Sequence, residues 1–148
     1  MHMHGNPLTM QIAPMTGDVV PQVLQFLEHH CHELSRLGVQ KSQIVIDPGI
    51  GFGKTVAQNF ALLARQGELV DAGYPLLAGW SRKSSLAAVT HLTSDGPPNP
   101  TVHARMVPSV AAAVLAVERG AAIVRVHDVR ETVQALQVWL AISSPAGR

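Results

Sequence analysis

The sequence predicts an α/β protein built from parallel (β/α) units. Short apolar runs at residues 44–47, 76–80 and 121–126 recur at roughly 30- to 45-residue intervals. Stretches of helical length with apolar stripes separate them. Connections are short, and glycine or proline marks most of them. Uninterrupted apolar strands predict a parallel sheet covered on both faces. The rhythm permits an open doubly wound sheet or part of a (β/α) barrel. A whole barrel needs eight units and about 250 residues. A chain of 148 residues with three firm units and one marginal first unit makes about half of one.

Met1 to His4 form a short, mostly apolar start ended by the turn signal Gly5-Asn6-Pro7. Asp18 is placed to cap a helix reaching about residue 37, with Val19, Val23, Phe26, Leu27, Leu34 and Leu37 as its stripe and Gly38 as its stop. The run 44–47 reads as a buried strand. A second helix is expected over about 56–71, with Phe60, Leu63, Leu69 and Val70 apolar, before Gly73 and Pro75. The run 76–80 leads into Ser81-Arg82-Lys83-Ser84 and a third helix over about 84–91. A Ser-, Gly-, Pro- and Asn-rich loop over 93–101 follows, the best candidate for a mobile segment. The fourth helix, 103–119, contains Pro108, so it is kinked there or begins after it. Residues 121–126 form a strand that is apolar except for Arg125. A last helix covers 131–142, and the tail from Ser143 is expected to fray. No internal repeat divides the chain, so residues 1–142 read as one partial domain.

Composition narrows the function. The apolar fraction is 47% and the charged fraction 14%, against about a quarter charged in ordinary soluble domains. Some apolar surface is therefore expected to meet something outside this chain. A net charge of +1 gives no broad field for nucleic acid or membrane. Cys31 is the only cysteine, which excludes an internal disulfide and fits a reducing, cytoplasmic setting. The first residues lack a signal peptide's cationic and apolar pattern. No apolar stretch reaches the ~18 residues of a membrane span.

The chemistry gathers at the C-terminal ends of the strands, where parallel α/β folds bind ligands. The first run ends at Met3-His4, the second at Asp47, the third at Gly79 to Lys83, and the fourth at Arg125-Val126-His127. Asp47 is followed by Pro48 and then Gly49, Gly51 and Gly53, which let the backbone approach a ligand closely. Counting back from Gly53-Lys54-Thr55 puts Pro48 where a nucleotide P-loop needs its first glycine, so this is not that motif. Ser81 to Ser84 bring hydroxyls and cations to a helix start, which suits an anion; a merely capped, solvated helix start is the plainer alternative. Arg125 interrupts an apolar strand, an expensive position unless it is paired or ligand-facing. Two residues on, His127 points to the same side. A structural ion pair with Asp47 is the other account of Arg125. His29, His30, Cys31 and His32 resemble a metal cluster, but only two ligands share a helix face, too few for zinc. His2 and His4 read as lining or surface residues, Trp80 as packing, and Cys31 as an ordinary helix residue.

Met1-His2-Met3, Asp47-Pro48-Gly49-Ile50-Gly51-Phe52-Gly53-Lys54, Gly79-Trp80-Ser81-Arg82-Lys83-Ser84 and Arg125-Val126-His127-Asp128-Val129, in that order and spacing, resemble the dihydropteroate synthase family over nearly the whole chain. The resemblance implies the C-terminal half of a TIM (β/α)8 barrel of the pterin-binding class. It implies a transferase of folate biosynthesis that joins 6-hydroxymethyl-7,8-dihydropterin diphosphate to p-aminobenzoate, releasing diphosphate, with sulfonamides mimicking the aminobenzoate. Carried over position by position, Asp47 holds the amino-pyrimidine edge of the pterin, and Lys83 reaches its oxygen and ring nitrogen. Met3 lines the pterin wall. Phe52 and Ser84 border the aminobenzoate, and Gly79 belongs to the substrate site. Arg125 lies over the pterin near the diphosphate, which His127 binds. Lys83, Asp47, Arg125 and His127 are thus the expected catalytic set. Mg2+ is implied with the diphosphate, its protein ligand being an asparagine in the family's first strands. Those strands, two substrate loops and further pterin contacts are not found here, and Pro108 stands where the family usually has glycine. The isolated chain is therefore expected to be inactive or weak, with open sheet edges favouring association. The resemblance also implies a homodimer through the C-terminal helices. A folate-presenting binding module without transferase chemistry, and a remnant that folds only with a partner, are the alternatives; the cations at the strand ends favour the enzyme, because a folate carrier needs no diphosphate site.

Overall fold

The computed structural model describes residues 1–10, 12–90 and 102–143. Strand-like segments lie side by side in chain order. His2 N–H donates to the Asp47 carbonyl at 2.9 Å, tying the N-terminal segment beside residues 44–47. Ile46 bridges Leu76 in parallel. β1 (Leu77–Ala78) pairs in parallel with β2 (Ile123–Val124), Leu77 opposite Ile123 and Ala78 opposite Val124. A doubly wound sheet reverses its strand order at a switch point. This one does not reverse, which is the order of a barrel wall. The architecture is a partial (β/α) barrel.

The helices lie on one side of this wall: α1 (Val19–Arg36), α2 (Val56–Ala64), α3 (Gln66–Val70), α4 (Ser84–Thr90), α5 (Met106–Glu118) and α6 (Val129–Ser143). Asp18 caps α1 by accepting from Val20 N–H at 3.1 Å. Val19, Val20, Val23, Leu27 and Cys31 of α1 are buried against Ile44, Ile46, Leu62, Leu63, Leu69 and Leu76. Each such side chain contributes about 1.5–3 kcal/mol. No helix among the described residues is long and apolar enough to cross a membrane.

The expectation of a sheet covered on both faces is corrected. Ile44, Ile46, Leu76 and Ala78 face the helices and are buried, but Val45 and Ile123 remain 43% and 41% exposed. Alternation puts Val45, Leu77 and Ile123 on the other face, the face a whole barrel would enclose. Half a barrel leaves it open.

Several element boundaries also differ. Residues 44–47 make a single bridge rather than a full strand, and β1 and β2 are each two residues long. The helix expected over 56–71 breaks at Arg65, whose backbone leaves helical geometry. The break directs the buried Gln66 amide to the Ala116 and Arg119 carbonyls at 2.8 and 3.0 Å. Both lie at the C-terminal end of α5, where the Ala116 carbonyl also accepts from Ala121 N–H at 2.9 Å. α5 does not begin after Pro108. Pro108 is the third residue of a helix that starts at Met106, after a 3-10 turn over Val102–Arg105. The first turn needs no intrahelical N–H, so proline fits there. The expected last helix begins two residues earlier, at Val129, and includes Ser143. The loop over 93–101, the end of the third helix at residue 91 and the tail 144–148 lie outside the described residues.

Candidate active site

Alternation along the strands places Asp47, Gly79 and Arg125 on the open face, one layer beyond Val45, Leu77 and Ile123. Asp47 is buried, and its Oδ1 accepts from Gly49 N–H at 2.7 Å. Its Oδ2 lies 3.6 Å from Arg125 Nη2. That pair is loose, and the Arg125 side chain is 57% exposed, so most of the guanidinium is turned outward. The ion pair with Asp47 is present, and it leaves the Arg125 side chain open to solvent. Gly79 makes room for it, since a Cβ there would lie 2.8 Å from Arg125 Nη2.

Lys83 completes this group. Its Nζ sits 4.3 Å from the centre of the Phe52 ring, a cation–π contact. Burial lowers its pKa most, the Arg125 charge lowers it further, and Asp47 opposes them. Two cations share one carboxylate, and the surplus positive charge suits an anionic ligand.

The Asp47 loop is held from below by a residue the sequence reading did not single out. Lys54 is buried, and its Nζ donates to the Gly49 and Phe52 carbonyls at 2.9 and 3.2 Å. It also lies 2.9 Å from His2 Nδ1. Burial, and to a smaller extent Lys83, lower its pKa to about 8, while Asp47 opposes. Burial, then the Lys54 charge, lower that of His2 to about 4. At neutral pH His2 is therefore uncharged and accepts from the Lys54 ammonium. His2 is a buried anchor, not a surface residue. Gly49 has a left-handed φ of 67° and no space for a side chain against the His2 carbonyl. Asn59 bridges the loop to α4, accepting from Gly51 N–H at 2.8 Å and donating to Ser85 Oγ at 2.9 Å.

His127 is held by Ser81. Its backbone N–H donates to Ser81 Oγ at 3.1 Å, and its Nδ1 lies 2.9 Å from the same oxygen. It is thus tied to the turn that bears Lys83. Met3 is half-buried in the N-terminal segment, and Ser84 is the exposed first residue of α4. Among the described residues no three His, Cys, Asp or Glu side chains come together as a metal site. The sequence reading also missed Ser109, Arg105 and Asp128, which hold Arg82 at 2.8, 3.2 and 2.7 Å. The sequence signals were a serine in the first turn of an Ala- and Val-rich helix and the place of Asp128 beside Arg125 and His127.

A buried acid at one strand end thus faces cations from two others across an open barrel mouth. The family model described as pterin binding enzyme matches residues 1–127. The chain belongs to the pterin binding enzyme family. Within that family it is 44% identical over 144 residues to the dihydropteroate synthase of Haemophilus influenzae, covering 97% of this chain and 50% of that protein. It superposes with a TM-score of 0.89 and 44% identity on the dihydropteroate synthase of Stenotrophomonas maltophilia with active site-bound imidazole, covering 99% of this chain and 52% of that one. The dihydropteroate synthase of Xanthomonas albilineans in complex with 7,8-dihydropteroate gives a TM-score of 0.85 at 40% identity, covering 98% and 50%. The chain spans about half the length of the relatives it matches.

Proposed function

We propose that this chain carries the C-terminal half of a dihydropteroate synthase site, which condenses 6-hydroxymethyl-7,8-dihydropterin diphosphate with p-aminobenzoate to give 7,8-dihydropteroate and diphosphate. The observation that carries the reading is the convergence of Asp47, Lys83 and Arg125 at one rim. Asp47 accepts from the amino-pyrimidine edge of the pterin. Lys83 donates to the pterin oxygen and ring nitrogen while its ammonium rests on Phe52. Met3 supplies apolar wall. Arg125 covers the pterin and, with His127, meets the diphosphate; Ser81 holds His127 Nδ1 and leaves Nε2 for the anion. Phe52 and Ser84 border the aminobenzoate.

In this mechanism the bond between the pterin's methylene carbon and the diphosphate oxygen breaks first. Arg125 and His127 stabilise the charge that grows on the leaving oxygen. The arylamine nitrogen then attacks the carbon and loses a proton, and its neutrality removes the need for a strong base. The resemblance implies Mg2+ with the diphosphate. The described residues do not fit a metal site by themselves, because Asp47 is engaged by Gly49 and Arg125, so no step is routed through one. The chain also forms a homodimer in this proposal, supported by exposed Val107, Val138, Leu140 and Ile142 on α5 and α6.

Calorimetry of the 148-residue chain with the pterin diphosphate tests the reading. Binding is expected, with methyl-tetrahydrofolate much weaker. Asp47→Asn and Lys83→Met should each weaken the pterin diphosphate by about 10- to 100-fold, the worth of a hydrogen bond to a charged group. Equal or better binding of the folate would favour a carrier instead.

A further inference from the structure

Arg82 is the one non-glycine residue with positive φ among the described residues, at 60°. A left-handed backbone costs an L-residue about 1–2 kcal/mol, so the surroundings must hold it. Three groups do. Its N–H donates to Ser109 Oγ at 2.8 Å. Its carbonyl accepts from Arg105 Nη1 at 3.2 Å. Its guanidinium meets both oxygens of Asp128, Nη2 to Oδ1 at 2.7 Å and Nε to Oδ2 at 3.2 Å. Ser109 Oγ in turn donates to the Arg105 carbonyl at 2.5 Å, closing a ring of bonds. Arg105 Nε is buried there without a partner among the described residues, while its Nη1 is given to the Arg82 carbonyl.

The consequence falls on the next residue. A left-handed residue reverses the chain, so Arg82 turns toward Asp128 while Lys83 turns toward Phe52 and Asp47. We propose that Asp128, Ser109 and Arg105 are positioning residues, which aim Lys83 at the Asp47 rim by holding Arg82 from three sides. None of them needs to touch a ligand. The fold reason is plain: Ser109 and Arg105 come from the start of α5 and Asp128 from the residue before α6, so both helices fix the turn between β1 and α4. The proposal rests on the function above only for what Lys83 does; the aim of Lys83 can be read without any ligand.

The chain has lysine only at positions 41, 54 and 83, so carbon-13 labelling at the lysine ε position gives one NMR signal for each. In the unchanged chain the Lys83 ε protons should carry an upfield shift from the Phe52 ring. Asp128→Asn, Ser109→Ala and Arg105→Leu should each reduce that shift and raise the Lys83 titration midpoint toward an ordinary lysine. The Lys41 and Lys54 signals should stay in place. Ser109→Thr, which keeps the hydroxyl, should restore it. Arg82→Gly should keep most of the shift, because glycine takes this backbone without strain and its N–H and carbonyl still meet Ser109 and Arg105. An unmoved Lys83 signal in both Asp128→Asn and Ser109→Ala overturns the proposal. Collapse of all three signals in both also overturns the proposal, because the contacts would then hold the whole fold and not the turn. If Lys83 moves but affinity for the pterin diphosphate does not change, the positioning stands and the functional reading of Lys83 fails.

Discussion

At the scale of single residues, space and charge at Asp47 decide most of what can be tested. A methyl group on Gly79 would meet Arg125 Nη2 at 2.8 Å. The neighbour is the end of a flexible, half-exposed side chain, so it yields. Gly79→Ala is expected to change stability by less than about 1 kcal/mol while weakening inorganic diphosphate binding several-fold. Unchanged diphosphate affinity, measured by calorimetry, would show that Arg125 does not need its present place. The Lys54–His2 pair makes a separate prediction in pH. His2 binds its proton more weakly in the folded chain, near 4 against 6.5. Between those values the unfolded chain holds more protons, so stability rises with pH through this window and is lost as pH falls through it. The difference amounts to about 3 kcal/mol. Lys54 adds a second rise of similar size from about 8 toward 10.5. Urea titrations at stepped pH should show both, and His2→Gln should flatten the acid limb. An unchanged acid limb in that variant would assign it to other groups.

At the scale of elements, the break between α2 and α3 earns its place through Gln66. Gln66→Leu removes a donor from both the Ala116 and Arg119 carbonyls; Ala116 keeps Ala121 N–H, so the expected cost of about 1–3 kcal/mol falls on Arg119. Thermal unfolding measures it, and a loss near zero would mean that water replaces the amide. This break was not legible in the sequence. No proline marks it, Gly67 falls inside α3 and not at the break, and Ala-Leu-Leu-Ala-Arg-Gln continues a helical pattern; the partner lies 50 residues away. The order of units was legible, because an apolar period survives wherever one face packs. So were Asp47, Lys83 and Arg125, because a charge at the end of an apolar run is conspicuous. Lys54 and Ser109 were not. A buried lysine that turns back on its own loop looks like any lysine, and a serine's partner lies on another helix. Strand lengths were overestimated for the same reason: apolar character persists beyond the residues that pair.

At the scale of the molecule, the wall, the helices behind it and the open face in front define how the chain behaves. The purified 148-residue chain is expected to bind pterin diphosphate yet turn it over weakly or not at all. Turnover at a rate typical of enzymes, about 1–1000 per second, would overturn that expectation. The α5–α6 face is expected to join two copies. Val107→Glu with Val138→Glu should convert a dimer to a monomer in sedimentation velocity, and a monomer before mutation would remove the face from consideration. The unsealed layer of Val45, Leu77 and Ile123 reaches further. A folded protein that shows such a layer to water should light up an environment-sensitive dye before any denaturant is added, and should engage chaperones that survey nascent chains. Whatever polypeptide comes to cover those three side chains would darken the dye and, in the same act, close the floor under Asp47.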